Sequence, residues 1–382
     1  MNAHMKKNNF DLLRLIAAFQ VCISHSAEAL SVSGGGLYKL VILILGVVPG
    51  VPIFFFISGF LISASYERSP SLRSYARNRF LRIFPALWFA LFCSVLLILY
   101  FGFFPIRHPG EFLTWLLAQA SFVQFYNPVF LRTFGTGVMN GSLWTIPVEL
   151  QFYLAIPLLY LFLKGKNSNQ ILFGFLILFT AINFIYIHFL PPAIAYHTSH
   201  QSLWSYVFLR EIFRCTLVPY FYMFLFGICI QRNLQVILPL IEGKAIYWLL
   251  AYFVIALSLN SPAMKFESNL QNFLAFAFLA ITCTSVAYSF KGTATFLLRG
   301  NDISYGVYLY HMLVVNGLIM LGFTGRLRDL LLCLTVTTFA AYLSWKLIEQ
   351  PALRKKSRKE APSVQMHIAE VPINPPPSLG NA

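Results

Sequence analysis

Residues 41–65 read VILILGVVPGVPIFFFISGFLISAS and contain no charged side chain. A helix needs about 20 apolar residues to cross the hydrocarbon core of a bilayer, so this stretch is long enough to span it. Apolar runs of similar length recur along nearly the whole chain. The pattern therefore predicts an all-α integral membrane protein.

The composition of the 382-residue chain supports the same class. Apolar residues make up 58% of the chain and charged residues only 11%, whereas an average soluble domain is about a quarter charged. This balance excludes an ordinary soluble enzyme, a disordered chain and a disulfide-stapled secreted module. The net charge of +15 would suggest nucleic acid in a soluble protein. Here the placement of the charges between apolar runs matters more than their sum, and we expect no nucleic-acid partner.

Apolar windows and loop charges together predict about ten transmembrane helices with both termini in the cytoplasm. The windows are 10–31, 41–65, 83–103, 144–163, 170–190, 214–231, 245–261, 270–290, 303–322 and 327–347. Residues 112–126 are too short to cross and are interpreted as an interfacial or re-entrant segment on the outer face. Counting them as a span would place basic loops outside, against the positive-inside rule. The first window resembles a signal peptide, but Asp11 and Arg14 interrupt it, so we expect a retained helix.

The domain organisation follows from the same windows. We expect one polytopic membrane domain over residues 1–351. Residues 352–382 are first basic and then proline-rich, ending in PINPPPSLGNA, which predicts a disordered cytoplasmic tail. The six cysteines lie in apolar stretches without a C-x-x-C spacing, so neither metal binding nor redox pairing is expected.

Arg14 and His25 are ionisable residues within the first apolar window, where such groups are costly and usually functional. They are eleven residues apart, about three helical turns, which places both on nearly the same helix face about 16 Å apart. Two structural alternatives stay open. Arg14 could be an interfacial anchor paired with Asp11, and His25 could be a histidine satisfied by a neighbouring helix.

Further polar residues interrupt other apolar windows. Glu149 lies in an apolar helix, His311 lies in the middle of the ninth window, and Glu349 closes the tenth. The structural alternatives are that His311 bonds a backbone carbonyl and that Glu349 balances Lys346. The loop before the third window is rich in arginine, with Arg73, Arg77, Arg79 and Arg82 close together. Arg79 and Arg82 share a helical face, which suits a bound phosphate or pyrophosphate.

Six short segments resemble, in order, the membrane acyltransferase-3 family of acetyl and other acyl transferases. They are FDLLRLIAAFQVCISH (10–25), FFFISGFLI (54–62), RNRFLRIFP (77–85), GSLWTIPVE (141–149), ISYGVYLYH (303–311) and IEQP (348–351). The resemblance covers residues 10–351. The chain departs from the family pattern at Pro147, where the family more often has a small residue.

The resemblance implies an O-acyltransferase of the bacterial inner membrane that moves an acyl group, usually acetyl from acetyl-CoA, to a cell-surface or lipid-linked carbohydrate. It implies that His25 is the catalytic histidine with Arg14 as its partner, and that Arg79 and Arg82 bind the donor. Other candidates accompany these residues. Glu149 is a further catalytic candidate, Arg77, Ser58 and Gly59 are donor-site candidates, and Glu28, Trp144, Ser304, Tyr305, His311 and Glu349 are candidates for substrate or supporting contacts.

Physical chemistry fits this interpretation. Acetyl-CoA is polyanionic and cannot cross lipid, so arginines at the cytoplasmic mouth would hold its phosphates while its arm reaches inward. A neutral imidazole can accept a hydroxyl proton near neutral pH, which makes His25 a suitable general base. Direct transfer is preferred, and an acyl-histidine intermediate stays open. The main alternative is a transporter or flippase of lipid-linked sugar that uses the same intramembrane charges. The oligomeric state is not predicted.

Overall fold

The computed structural model describes residues 8–68, 71–103, 108–189, 213–259 and 272–355. Within these ranges the regular structure is helical and no strand occurs, so the all-α class is confirmed for the described part of the chain. The predicted tail from residue 356 onward lies outside these residues. So do residue 190 and the segments 260–261 and 270–271, at the edges of three predicted windows.

Fifteen α-helices are assigned within the described ranges. They are α1 (Phe10–Ala29), α2 (Gly36–Val47), α3 (Gly50–Arg68), α4 (Leu72–Tyr100), α5 (Pro109–Ala120), α6 (Thr145–Phe162), α7 (Ser168–Phe189), α8 (Phe221–Arg232), α9 (Leu234–Ile241), α10 (Ala245–Leu259), α11 (Phe273–Ser289), α12 (Thr293–Leu298), α13 (Ser304–Met320), α14 (Leu327–Ser344) and α15 (Gln350–Arg354). Short 3₁₀ helices cover Val129–Leu131, Gly141–Trp144 and Val218–Tyr220, and a π-helical turn covers Trp345–Glu349.

Six helical stretches among the described residues are long and apolar enough to cross a membrane. They are Phe10–Ala29, Gly36–Arg68, Leu72–Tyr100, Gly141–Phe162, Ser168–His188 and Leu327–Arg354. A pair bent by 88°, Val218–Arg232 with Leu234–Ile241, makes a seventh if it is one span. Each predicted window contains a helix, but α10, α11 and α13 are shorter than a typical span. The count of ten and the cytoplasmic termini therefore stay predictions.

The window at 41–65 is two helices rather than one. α2 ends at Val47, and α3 begins at Gly50. Pro49 explains the break, because a proline disfavours helical backbone in the residue before it and has no N–H to donate. Val48 accordingly leaves the helical region with φ −105° and ψ 81°. Pro52 is tolerated because it lies in the first turn of α3, where no helical N–H bond is needed.

The core is formed where α1 contacts both α3 and α13, while α3 also packs on α8. Glycine permits the closest of these approaches. A Cβ at Gly59 on α3 would lie 2.2 Å from the carbonyl oxygen of Phe224, and one at Gly227 on α8 would lie 2.4 Å from that of Phe56. The two helices therefore touch backbone to backbone, as small residues allow in membrane helix packing.

Large apolar side chains cover the outward faces of several helices. Exposed examples are Trp88, Phe92 and Leu96 on α4, Phe173, Ile177 and Phe184 on α7, and Leu250, Val254 and Leu257 on α10. Soluble proteins rarely expose such continuous apolar surface. These faces are suited to contact with lipid, whereas Ser142 and His311, discussed below, are fully buried.

Candidate active site

Two histidines and a serine meet where α1, α13 and the start of α6 converge. His25 Nδ1 lies 3.2 Å from His311 Nε2 and 3.2 Å from Ser142 Oγ, and Ser142 Oγ lies 3.0 Å from His311 Nε2. His25 is half-buried, whereas Ser142 and His311 are fully buried. We call these three residues the histidine cluster.

The other ring nitrogen of His311, Nδ1, contacts backbone carbonyl groups of its own helix. Its Nδ1 faces the carbonyl oxygens of Tyr308 at 2.8 Å and Val307 at 3.2 Å. The alternative that His311 bonds a backbone carbonyl is therefore correct, and so is the alternative that a neighbouring helix satisfies His25. Both histidines also face Ser142, and their predicted roles in catalysis stay predictions.

Buried hydrogen bonds hold Ser142 in place. The Tyr308 hydroxyl donates to the Ser142 carbonyl oxygen at 2.6 Å and lies 2.7 Å from Thr145 Oγ1. Just before the serine, the Asn140 amide donates to the Leu309 carbonyl oxygen at 2.8 Å. The 3₁₀ turn Gly141–Trp144 is thereby attached to α13. Buried polar groups that are satisfied in this way hold a site in one geometry.

A second polar group, the arginine–aspartate cluster, lies near the start of α1. Asp302 Oδ2 accepts from Arg82 Nη2 at 2.6 Å and from Arg14 Nη1 at 3.1 Å, while Ser304 Oγ donates to Asp302 Oδ1 at 2.5 Å. Asp302 lies in the loop before α13. Burial alone would raise the pKa of its carboxyl, but Arg82 and Arg14 hold that pKa below its usual range. The described ion pairs thus join Arg14 to Asp302 and not to Asp11.

A cavity of about 40 Å³ adjoins Arg14 of the arginine–aspartate cluster. Its polar lining comes from Arg14, Ser58, Thr145, Glu149, Tyr305 and Tyr308, and Val51, Phe54, Phe55 and Ile146 complete it. It therefore extends from the guanidinium of Arg14 to Thr145 and Tyr308, which contact the backbone of Ser142. The cavity thus reaches Arg14 at one cluster and the neighbours of Ser142 at the other, while the side chains of the histidine cluster do not line it.

Glu149 faces this cavity and makes no hydrogen bond to either histidine. Its Oε1 accepts from Ser58 Oγ at 3.3 Å and from the Tyr153 hydroxyl. The described contacts of Glu149 thus include neither imidazole, and its role as a further catalytic candidate stays a prediction. Glu149 lies about two helical turns along the chain from Ser142 and, like Arg14, lines the cavity.

Arg79 and Arg82 have different surroundings although they are three residues apart. Arg82 forms an ion pair with Asp302. The Arg79 guanidinium instead lies over the rings of Tyr75 at 5.9 Å and Tyr153 at 5.6 Å. No described carboxylate pairs with Arg79, and its Nε has no hydrogen-bond partner among the described residues. Of the two, Arg79 has the more available charge.

The remaining donor-site candidates are occupied by protein contacts. Gly59 touches the backbone of Phe224, and Arg77 donates to the Lys355 carbonyl oxygen at 2.7 Å. Gly59 thus has a structural reason to be glycine. Its predicted role in donor binding, like that of Arg77, stays untested.

The supporting candidates are spread around the two clusters. Glu28 is exposed one turn beyond His25, and the Trp144 ring lies 5.4 Å from that of Tyr220. The Tyr305 hydroxyl donates to the Ile83 carbonyl oxygen at 3.1 Å. Glu349 is buried and accepts from Ser344 Oγ at 3.1 Å rather than balancing Lys346, whose ammonium group lies over the Tyr342 ring.

Sequence reasoning missed Ser142, Asp302 and Tyr153 as site residues. Ser142 lies in one of the motifs that carried the family resemblance, and Asp302 lies directly before another. That position was the sequence feature that could have identified them as site residues. Their partners are 117 and 288 residues away along the chain, which no local pattern reveals. Among the described residues, no group of three His, Cys, Asp or Glu side chains is arranged to hold a metal ion.

The fold and site define a helical membrane protein with paired histidines beside an internal cavity. A family model described as an acyltransferase domain, that of the acyltransferase-3 family, matches residues 7–346. The chain belongs to this family of membrane acyltransferases. The resemblance predicted from the motifs is therefore confirmed.

The chain is also similar to individual named proteins. The chain is 34% identical over 364 residues to nodulation protein 10 of Rhizobium leguminosarum bv. viciae, covering 92% of this chain and 94% of the relative. It is 27% identical over 391 residues to an O-acetyl transferase of Shigella phage Sf6, covering 93% and 98%. A shorter match, 34% over 139 residues, is to peptidoglycan O-acetyltransferase OatA of Listeria monocytogenes and covers 32% of this chain and 21% of the relative. No solved structure matches the chain.

Proposed function

We propose that the protein is an O-acyltransferase that moves an acetyl or other short acyl group from acyl-CoA to a hydroxyl of a cell-surface or lipid-linked carbohydrate. Its family and two relatives named as O-acetyltransferases support this class over a transporter. The observation that carries the proposal is the histidine cluster, in which half-buried His25 is held by Ser142 and His311.

In the proposed reaction, His25 Nε2 takes the proton of the acceptor hydroxyl as the hydroxyl oxygen attacks the carbonyl carbon of the thioester. The carbon–sulfur bond then breaks, and the thiolate leaves with the proton that His25 has held. Atoms and charges balance without a metal or a further co-reactant. Direct transfer needs one such step, and an acyl-histidine intermediate remains the alternative.

The donor would enter from the side of the arginine–aspartate cluster. Arg79, whose charge has no described carboxylate partner, is proposed to contact a phosphate, and Arg14 lines the start of the path inward. A cavity of about 40 Å³ holds little more than water. The donor complex therefore requires the side chains along it, including Ser58 and Tyr305, to move apart.

The proposal is tested by replacing His25 with asparagine. Purified protein in lipid nanodiscs is given radiolabelled acetyl-CoA and a mixture of surface glycans, and acyl transfer is followed together with donor binding. We expect His25→Asn to fold and to bind donor, but to transfer about a hundredfold to ten-thousandfold more slowly, because general-base catalysis is lost.

His188→Asn is the matched control, because His188 is an exposed histidine on α7 outside the histidine cluster. It should retain wild-type transfer. Near-normal transfer by a folded His25→Asn protein would remove His25 from the role of base. Failure of the wild-type protein to transfer from acyl-CoA to any glycan would instead contradict the proposed reaction.

A further inference from the structure

The hydrogen bonds of the histidine cluster can all be satisfied only when His25 is in one particular tautomer. In the other tautomer, the cluster has too few hydrogens for the nitrogen lone pairs that face each other. His311 Nδ1 faces only the carbonyl oxygens of Tyr308 and Val307, which accept and cannot donate. A neutral His311 therefore carries its hydrogen on Nδ1, and its Nε2 is an acceptor. This nitrogen points at His25 Nδ1 and at Ser142 Oγ.

Ser142 brings one hydroxyl hydrogen to this triangle of polar atoms. If His25 Nδ1 were also an acceptor, that hydrogen could satisfy only one of the two nitrogens. The lone pairs of His25 Nδ1 and His311 Nε2 would then face each other at 3.2 Å in a buried setting. If His25 Nδ1 carries a hydrogen, it donates to Ser142 Oγ while Ser142 donates to His311 Nε2, and every group is satisfied. Without the Ser142 hydroxyl, the same hydrogen can go directly to His311 Nε2.

We infer that His311 is a positioning residue that holds His25 in the tautomer with the hydrogen on Nδ1. The lone pair of His25 then lies on Nε2, for which no hydrogen-bond partner occurs among the described residues. A neutral imidazole thus takes the place that a carboxylate occupies in a serine–histidine–aspartate triad. The inference extends the proposed function, because it explains which nitrogen of the base is available to the acceptor hydroxyl.

The tautomer is measurable without any activity assay. Protein labelled with ¹⁵N-histidine is prepared in detergent micelles, and long-range ¹H–¹⁵N spectra distinguish Nδ1–H from Nε2–H imidazoles. The signals that disappear in His25→Asn identify His25. We expect Nδ1–H for His25 in the unaltered protein. An Nε2–H tautomer at this position overturns the inference, whatever the enzyme does.

Variants at the two neighbours separate their contributions. His311→Leu removes the acceptor to which Ser142 donates its hydrogen, so Ser142 can then donate to His25 Nδ1. His25 should therefore gain Nε2–H tautomer, and kcat should fall by about tenfold to a hundredfold with an unchanged KM for the donor. The loss is smaller than that of the base itself, because the correct tautomer stays partly populated. His311→Gln should recover part of kcat, since its amide oxygen can accept from Nδ1–H. Ser142→Ala should keep the tautomer, because the direct contact between the histidines remains.

The outcomes test the positioning role of His311 separately from the proposed role of His25 as the base. An unchanged tautomer in His311→Leu, or a lost one in Ser142→Ala, shows that His311 is not the positioning residue. If His311→Leu does not fold, the wild-type spectrum and Ser142→Ala still give that decision. The expected tautomer together with a fully active His25→Asn would leave the positioning intact but remove His25 as the base, which is failure of the proposed function alone.

Discussion

Arg79 and Arg82 are a natural pair for separating donor binding from stability, because the same change of charge is made three residues apart on α4. Arg82 Nη2 lies 2.6 Å from Asp302 Oδ2, and the two side chains are 13% and 15% exposed. Arg79 is held only by the faces of Tyr75 and Tyr153 among its described contacts. Arg82→Ala should therefore mainly lower the stability of the fold, and Arg79→Ala should mainly lower the affinity for the donor.

The magnitudes follow from these contacts. Removing one partner of a buried ion pair costs about 3–5 kcal/mol. Asp302 keeps Arg14 at 3.1 Å, so we expect the lower end, about 3 kcal/mol of unfolding free energy, for Arg82→Ala. Arg79→Ala loses two cation–π contacts of about 0.5–1 kcal/mol each. Its loss of donor affinity should be larger, about 1.5–3 kcal/mol for one charge-assisted phosphate contact.

Two measurements on the same samples check this prediction. Denaturant unfolding in detergent gives the change in unfolding free energy, and titration with acetyl-CoA of the folded protein gives the donor Kd. The reasoning is refuted if Arg82→Ala unfolds like the wild type while losing donor affinity. In that case Arg82 belongs to the donor site, as the sequence motif alone suggests.

Two further predictions use the same unfolding assay. Because the pKa of Asp302 is held below its usual range, the ion pairs stabilise the fold above the unfolded-state pKa of about 4, and this stabilisation is lost as pH falls below it. Asp302→Asn should be less stable at neutral pH and lose less stability on acidification; an acid profile parallel to that of the wild type would contradict this. Gly59→Ala should cost about 1–3 kcal/mol or more, because its Cβ would lie 2.2 Å from the Phe224 carbonyl oxygen. Gly174→Ala on α7, where a Cβ meets no atom within 4 Å, is its control, and equal stability of the two variants would argue against backbone contact.

Local patterns predicted the features that depend on one helix. The spacing of Arg14 and His25 places them on one face of α1, and the structure uses that face to reach both polar clusters. The sequence also showed prolines near the middle of the 41–65 window. The break at Pro49 follows from the local effect of proline on the backbone, whereas the contact that receives the start of α3, Gly50 N–H to Gln20 Oε1 at 2.7 Å, comes from another helix and could not be predicted.

Partners from distant segments could not be predicted in the same way. The motif containing Arg82 favoured a phosphate site. In the structure, Arg82 instead pairs with Asp302, which lies 220 residues later in the chain. Glu149 shares a motif with Ser142, and only the tertiary structure shows that the serine meets the histidines while Glu149 lines a cavity together with Arg14. Motifs identify which residues matter, whereas their roles depend on which helices meet.

The arrangement of α1 and α13 connects the two clusters energetically. α1 carries Arg14 and His25, and the chain leading through α13 carries Asp302 and His311, so the two helices contact each other through both clusters. Sliding one helix past the other by one residue, about 1.5 Å, would distort the 3.2 Å contact between His25 Nδ1 and His311 Nε2. The ion pair of Arg14 with Asp302 opposes that movement. It therefore stabilises the register on which the tautomer of His25 depends, although the paired charges contact neither imidazole.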